Sequence, residues 1–253
     1  MKKGENIRLD EVLVLKGLCE SRSQAKAFIM AGQVWLGTER LEKASKLISP
    51  ELEIYLKSPM KYVGRGGLKM ENFLIHSQID PSGLRILDIG ASTGGFTDCL
   101  LQKGAREATC IDVGHGQLHY KLRTDPRVTN IEKINIRNLK QDELNGSPYP
   151  LVVMDLSFIS LKKVLCQTWN FVESSGKLVA LVKPQFECTR EEANSAKGVI
   201  RSEEIQKRVL EEIIEFVERN LQASSLIFKK EAAPKGNDGN LEYFLAWKKT
   251  ELK

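Results

Sequence analysis

The chain is short of the features that define several protein classes. Its five cysteines, Cys19, Cys99, Cys110, Cys166 and Cys188, are scattered and odd in number. None stands at metal-ligand or redox spacing, which argues against a disulfide scaffold, a zinc module or a dithiol site. Buried thiols in a reduced, cytoplasmic setting are expected instead. No apolar run is long enough to cross a bilayer, so no membrane role is expected. The opening "MKKGENIRLDEVLV" is basic but lacks the apolar core and small-residue cleavage site of a signal peptide. Histidine is scarce: His76, His115 and His119 only. The last two have helical spacing, but no glutamate completes an H-E-x-x-H pattern, and no obligate metal is expected. Internal repeats and low-complexity segments are absent.

What is present is ordinary globular composition, 42% hydrophobic and 28% charged. The length of 253 residues admits one large domain or two smaller ones. A formal charge of +5 suits a polyanionic partner and equally suits a solvated basic face.

Two segments differ in pattern. In residues 1–60, "IRLDEVLVLKGL" has apolar residues at helical spacing. "SRSQAKAFIMAG" follows as a second helix, with Ser21 as N-cap and Gly32 as C-cap. Short strands are expected in "QVWLG" and "ELEIYL". Arg8, Arg22 and Lys26 fall near the helix pair, with Lys2, Lys3 and Lys16 adding charge. A linker over about residues 57–63 contains Pro59, and Gly64, Gly66 and Gly67 follow it. A helical pattern then runs through "LKMENFLIHSQI".

The segment from 61 to 253 alternates strands and helices. "RILDI", "ATCID", "VTNI", "LVVMD" and "KLVALVK" are short, apolar and rich in branched residues. "GGFTDCLLQKG" and "ISLKKVLCQTWNFV" have helix length, and an amphipathic helix is expected over residues 203–220. This predicts an α/β fold with a mostly parallel sheet covered on both faces. "SSLIFKKEAAPKGNDGNLEYFLAWKK" reads as an antiparallel hairpin at the sheet edge.

In such a sheet, ligands bind beyond the carboxyl ends of the strands. Asp88, Gly90, Ser92, Thr93 and Gly94 follow or close the first strand, Asp112 the second, Asp155 the fourth and Lys183 the fifth. Packing does not require charge there, and four such residues on one edge favour a ligand site. "GASTGG" departs from the dinucleotide fingerprint, with Ser92 in the second glycine's place, and no "GK[ST]" grips a triphosphate.

Two resemblances sharpen this reading. "RLDEVLVLKGLCESRSQAKAFIMAGQVWLG" resembles the S4 RNA-binding domain, through Arg8, Leu9, Asp10, Ser21, Arg22, Gly32 and Val34. Leu36 stands before Gly37 where that family often has asparagine. The resemblance implies docking on structured RNA by shape and phosphates, with Arg8, Ser21, Arg22, Lys26 and, at the junction, Arg65 as contacts.

The first-strand motif with its acidic second strand end resembles class I S-adenosylmethionine-dependent methyltransferases, a Rossmann-like fold. That implies the turn from Asp88 through Gly90, Ser92, Thr93, Gly94, Gly95 and Phe96 against the methionine part. It also implies Asp112 on the ribose hydroxyls, Glu132 on the adenosine side and Asp155 near the methyl group. Asn135 and Arg137 support the same wall or cap locally. "GRGGLK", "DLSFIS", "LVKPQFE" and "GNLEYFL" together resemble the FtsJ-like ribose 2′-O-methyltransferases, most closely their TlyA group, often labelled hemolysin. The catalytic set carried over by motif is Lys69, Asp155, Lys183 and Glu242. Gly64 departs from the serine common before Arg65.

The resemblance implies S-adenosylmethionine as cofactor and ribosomal RNA or ribosomal subunits as partner, with a cytidine 2′-hydroxyl as target. The polar stretch "PQFECTREEANSAKGVIRSEE" reads as a loop over RNA or cofactor, and Phe158 and Phe186 either pack or contact a base or the cofactor. Rival readings are a non-catalytic RNA-binding protein, a small-molecule methyltransferase and a cytolysin. The last lacks a spanning or lytic helix.

Overall fold

The computed structural model describes residues 6–57, 61–236 and 239–251. Lys2, Lys3, Pro59, Asn237 and Asp238 lie outside the described residues. The chain separates into two compact units, Met1–Met60 and Lys61–Lys253.

The smaller unit runs β1 (Ile7–Arg8), α1 (Leu9–Leu15), α2 (Arg22–Met30), β2 (Val34–Leu36), β3 (Glu39–Arg40), β4 (Leu47–Ile48) and β5 (Ile54–Leu56). The helical spacing extends upstream to Ile7, but Ile7 and Arg8 pair with Ile48 and Leu47, so α1 begins only at Leu9. Ser21 caps α2 by accepting a hydrogen bond from the Gln24 N–H at 3.2 Å. The C-cap is Ala31, one residue before the expected Gly32, and Gly32 takes the left-handed turn that follows at φ +69°. β2 lies between β3 and β5 in an antiparallel sheet. Leu9, Val12, Leu13, Ala25, Ile29, Val34 and Ile54 form the core.

The larger unit holds α3 (Gly66–Ser77), β6 (Arg85–Ile89), α4 (Gly95–Gln102), β7 (Glu107–Asp112), α5 (Tyr120–Arg123), β8 (Val128–Glu132), β9 (Tyr149–Met154) and α6 (Leu165–Trp169). It continues with β10 (Val172–Val182), α7 (Pro184–Glu187), α8 (Arg190–Ser195), α9 (Glu203–Asn220), β11 (Ser224–Glu231) and β12 (Tyr243–Lys249). The seven-stranded sheet has the order β11-β12-β10-β9-β6-β7-β8. β10, β9, β6, β7 and β8 are parallel neighbours, and the hairpin β11–β12 adds antiparallel to β10. Strand alternation separates two cores. Leu87, Ile89, Val152, Met154 and Leu178 face α6 and α9, whereas Ile86, Val153 and Val179 face α3 and α4.

Two expectations change in detail. "ISLKKVLCQTWNFV" forms a 3₁₀ turn at Leu161–Lys163 and then the short α6, because β10 already begins at Val172. The stretch read as a loop after Lys183 contains two short helices. Pro184 opens α7 at a position where its missing N–H costs nothing. Thr189 and Glu192 form a reciprocal capping box that starts α8.

Candidate active site

β6, β7 and β9 end side by side, with Ile89 opposite both Ile111 and Met154. The chain order reverses between β6 and β9, which is where doubly wound sheets open a crevice. A cleft of about 310 Å³ lies there, with Gly90, Ser92, Asp112 and Asp155 among its lining residues and Ile134, Ile136 and Leu156 on its apolar walls. Gly90 has φ +81°, and a Cβ on it would stand 2.7 Å from the Asp155 carbonyl oxygen. Only glycine allows this strand end to lie so close to the next. Ser92, in the second glycine's place, itself adopts a left-handed φ of +49°.

The Asp112 carboxylate is fixed from two loops. Its Oδ2 accepts from the Ser92 N–H at 2.8 Å and its Oδ1 from the Gly114 N–H at 2.7 Å. Each oxygen keeps acceptor capacity for a donor in the cleft. A fixed carboxylate beside apolar walls fits a nucleoside with neighbouring hydroxyls, the ribose and adenine of S-adenosylmethionine.

Charged residues at the other strand ends and on α3 form two ion pairs. Lys183 follows β10 and Glu242 precedes β12, just past the last paired residues Val182 and Tyr243. Lys183 Nζ stands 2.5 Å from Asp155 Oδ1 and donates to Ser157 Oγ at 3.0 Å. Lys69, on α3, pairs with Glu242. Both lysine side chains are close to nine-tenths buried. Gathering four charges that are mostly withdrawn from water contributes little to stability alone, because desolvation offsets most of the attraction.

Several residues expected at the cofactor do not line this cleft. Asp88, 1% exposed, lies beneath the cleft and does not line it. Its Oδ2 accepts from the Thr97 N–H at 3.2 Å and the Thr97 hydroxyl at 2.7 Å, which ties β6 to α4. Burial pushes its carboxyl up to about 7, against those hydrogen bonds. Thr93, Gly94, Gly95 and Phe96 also lie outside the cleft lining. A Cβ on Gly94 would strike Leu122, one on Gly95 would stand 2.8 Å from the Gly67 nitrogen, and the Phe96 ring packs on Phe244. One side of the turn meets the cleft and the other meets helices, and the sequence motif does not distinguish the sides. Gly64 gains a reason too: a Cβ there would stand 2.6 Å from Thr93 Oγ1.

Glu132 is not among the residues that line the cleft. Its Oε2 accepts from the Gly116 N–H at 2.8 Å and meets His115 Nδ1 at 2.8 Å, while Asn130 donates to Oε1 at 3.1 Å. The Gly116 N–H first, then Asn130, hold this carboxyl down at about 2. Glu132 thereby secures the loop that brings Val113 and Gln117 to the cleft, two lining residues the sequence reading missed. Asn135 accepts from the Arg137 N–H at 3.1 Å, a local turn contact. His119 caps α5, accepting at Nδ1 from the Lys121 N–H.

Phe158 is 91% exposed with φ +64°, and its ring centroid lies 5.0 Å from that of Phe186. It borders the first cleft and a second cleft of about 470 Å³ whose lining includes Phe186, Gln185, Asn194 and Lys197. Glu187 clamps the Phe158 loop, accepting from Ser160 Oγ at 2.6 Å and the Leu161 N–H at 2.7 Å. Burial raises the Glu187 carboxyl.

In the smaller unit, the expected RNA contacts have structural partners. The Asp10 side chain, 0% exposed, accepts from Arg8 Nε at 2.9 Å and Arg22 Nη2 at 3.0 Å. Arg22 also pairs with Glu11 at 2.9 Å. Both arginines keep partly exposed faces, and Lys26 is exposed. Arg65, at the start of α3, donates to the Lys235 carbonyl at 2.9 Å. Among the described residues, no helix is long and apolar enough to cross a membrane, and no group of three or more His, Cys, Asp or Glu is gathered to hold a metal ion.

Comparison with known proteins agrees with this architecture. Residues 62–249 match the FtsJ-like methyltransferase family and residues 7–54 the S4 domain. The 16S/23S rRNA (cytidine-2′-O)-methyltransferase TlyA of Mycobacterium tuberculosis is 38% identical over 96% of this chain and 90% of its own. A solved Streptococcus thermophilus structure that carries the hemolysin name is 36% identical, covers 98% of this chain and 90% of its own, and superposes with a TM-score of 0.73. An S-adenosylmethionine-dependent methyltransferase from Mesorhizobium loti, at 14% identity, shares the fold alone, with a TM-score of 0.51 over 73% of this chain and 100% of its own.

Proposed function

The chain belongs to the FtsJ-like methyltransferases and carries an S4 domain ahead of the catalytic one, and from that premise we propose that it methylates a ribose 2′-hydroxyl of ribosomal RNA, at a cytidine. S-adenosylmethionine supplies an electrophilic methyl group on a sulfonium. The chain's own residues must then hold the acceptor hydroxyl in line with that group and manage its proton.

Lys183 is the residue for this task. It is held between Asp155, which lines the cofactor cleft, and Ser157. From there it turns a lone pair of the 2′-hydroxyl toward the methyl group, and the Lys183–Asp155 pair takes the hydroxyl proton as the oxygen–methyl bond forms. Asp155 fixes the lysine's position. Lys69 and Glu242 complete the polar floor and contact the acceptor ribose. Asp112 holds the cofactor ribose. The exposed Phe158, stacked near Phe186, receives the base of the acceptor nucleotide once it leaves its own stack. Arg8, Arg22, Lys26 and Arg65 bind RNA phosphates through their exposed faces.

The observation that carries the proposal is the two ion pairs Lys69–Glu242 and Lys183–Asp155, with Asp155 on the cofactor cleft. The test uses labelled S-adenosylmethionine with ribosomal RNA and subunits from cells lacking the gene, with Lys183→Ala beside the native protein. Label on a ribose 2′-oxygen of a cytidine, lost in the variant, is expected. Label on a base would replace the target atom, and RNA binding without transfer would make the protein a binding factor.

A further inference from the structure

α8 ends in an unusual way. The Gly198 N–H bonds the Ala193 carbonyl at 2.9 Å and the Lys197 N–H bonds the Asn194 carbonyl at 3.0 Å, the two bonds of a Schellman turn. The left-handed residue of that turn is Lys197, at φ +49°, where helices most often place glycine. The turn is also locked. Asn240, 2% exposed, donates from Nδ2 to the Gly198 carbonyl at 2.9 Å and accepts at Oδ1 from the Ile200 N–H at 2.9 Å. Gln206 donates to the Ile200 carbonyl at 2.7 Å and accepts from the Tyr243 hydroxyl at 2.9 Å. At the other end of α8, Arg208 grips both oxygens of Glu192 at 2.6 and 2.7 Å. A six-residue helix is thus fixed at both ends, with a strained lysine on its closing turn.

That lysine is exposed and lines the second cleft, beside Phe158 and Phe186. It makes no ion pair with any described residue. We infer that Lys197 is a phosphate-binding residue for the acceptor RNA strand, presented by the left-handed turn to the backbone of the nucleotide whose base rests on Phe158. The inference rests on the proposed RNA acceptor reading. Its chemistry is complementary: the exposed Phe158 beside the half-buried Phe186 accepts a base face, and an unpaired cation on a fixed turn accepts the phosphodiester. Locking the turn removes part of the ordering cost that a mobile surface lysine would carry.

The backbone supplies an unusually clean test, because Lys197→Gly removes the charge and relieves the left-handed conformation together. The full chain is used, with an RNA fragment carrying the modified site. Lys197→Gly is expected to keep or raise the melting temperature and to leave S-adenosylmethionine affinity unchanged. It should raise the KM for RNA by at least about 10-fold, a charged hydrogen bond's worth. The slope of log affinity against log salt should fall by about 0.7–0.9, one phosphate contact. Lys197→Arg should retain the native slope and KM. An unchanged slope in Lys197→Gly would overturn the inference, as would an equal loss in Lys197→Arg. Native protein that transfers no methyl group to RNA, while Lys197→Gly still loses the salt slope, would instead overturn the proposed reaction and leave the phosphate contact standing.

Discussion

Asp10 in the smaller unit and Asp88 in the larger one are both sealed from solvent, at 0% and 1% exposure. Their chemistry runs in opposite directions. Burial raises the Asp10 carboxyl, but hydrogen bonds from Arg8 and then Arg22 outweigh it and leave the group below its ordinary range. Asp88 meets only the Thr97 N–H and hydroxyl, and burial carries it up to about 7. Burial alone therefore does not decide whether a carboxyl is charged; its partners do. The same contrast separates the units. In the small one, buried charge fastens a helix pair, whereas in the large one paired charge is gathered at the open end of a sheet.

The largest effect expected is on rate. Lys183→Ala should lower kcat by about 10²–10⁴-fold, with S-adenosylmethionine affinity and melting temperature kept. A comparable fall in stability would show that the strand-end pairs are structural, as Asp10 is. Next comes pH. In the unfolded chain an aspartate releases its proton near pH 4, whereas folded Asp88 keeps it to about 7. Its stabilising contribution is full below about pH 4 and lost as pH rises to about 7, a change of at most about 4 kcal/mol. Asp88→Asn should flatten that window in urea titrations of the larger unit, and parallel curves for variant and native protein would contradict it.

Asp10→Ala should cost the smaller unit about 2 kcal/mol, moderated because its arginines can turn to water. Trp35 is the tryptophan of that unit, under Lys57 at 3.6 Å, so its fluorescence follows the loss separately. Asp10 acts in the opposite sense to Asp88: its contribution is present above pH 4 and lost as pH falls through its lowered folded value. The smallest effect, about 1 kcal/mol, is expected for Ser21→Ala, which removes the α2 cap and should leave the larger unit's urea midpoint unmoved.

Much of the sheet was legible because strand composition and strand-end charge are local signals. "RILDI" forms β6 as read, and α9 spans the residues its apolar stripe marked, with Val209, Ile213 and Val217 buried. The final hairpin adds at the edge, as its Gly-rich loop suggested. The side of a turn that faces a ligand is not local. Asp88 and Gly90 are two residues apart, yet one ties β6 to α4 and the other borders the cleft. Glu132 likewise reaches back to Gly116, a contact set by a loop's path. For α8 the local signal is Thr189-x-x-Glu192, and a stretch without apolar periodicity reads as a loop. Lys197 could not be found this way, since nothing in its neighbours marks a left-handed lysine.

The contact of Gly95 with Gly66 and Gly67 has a consequence for inheritance. A Cβ on Gly95 would stand 2.8 Å from the Gly67 nitrogen and 3.2 Å from Gly66 Cα, and one on Gly67 would stand 2.4 Å from Tyr62. The least bulky missense change open to these codons, to alanine, already adds a methyl group where backbone or ring stands. Two stretches of gene far apart, one leading into the helix of Lys69 and the other following the cofactor turn, are therefore expected to tolerate only synonymous change at these positions.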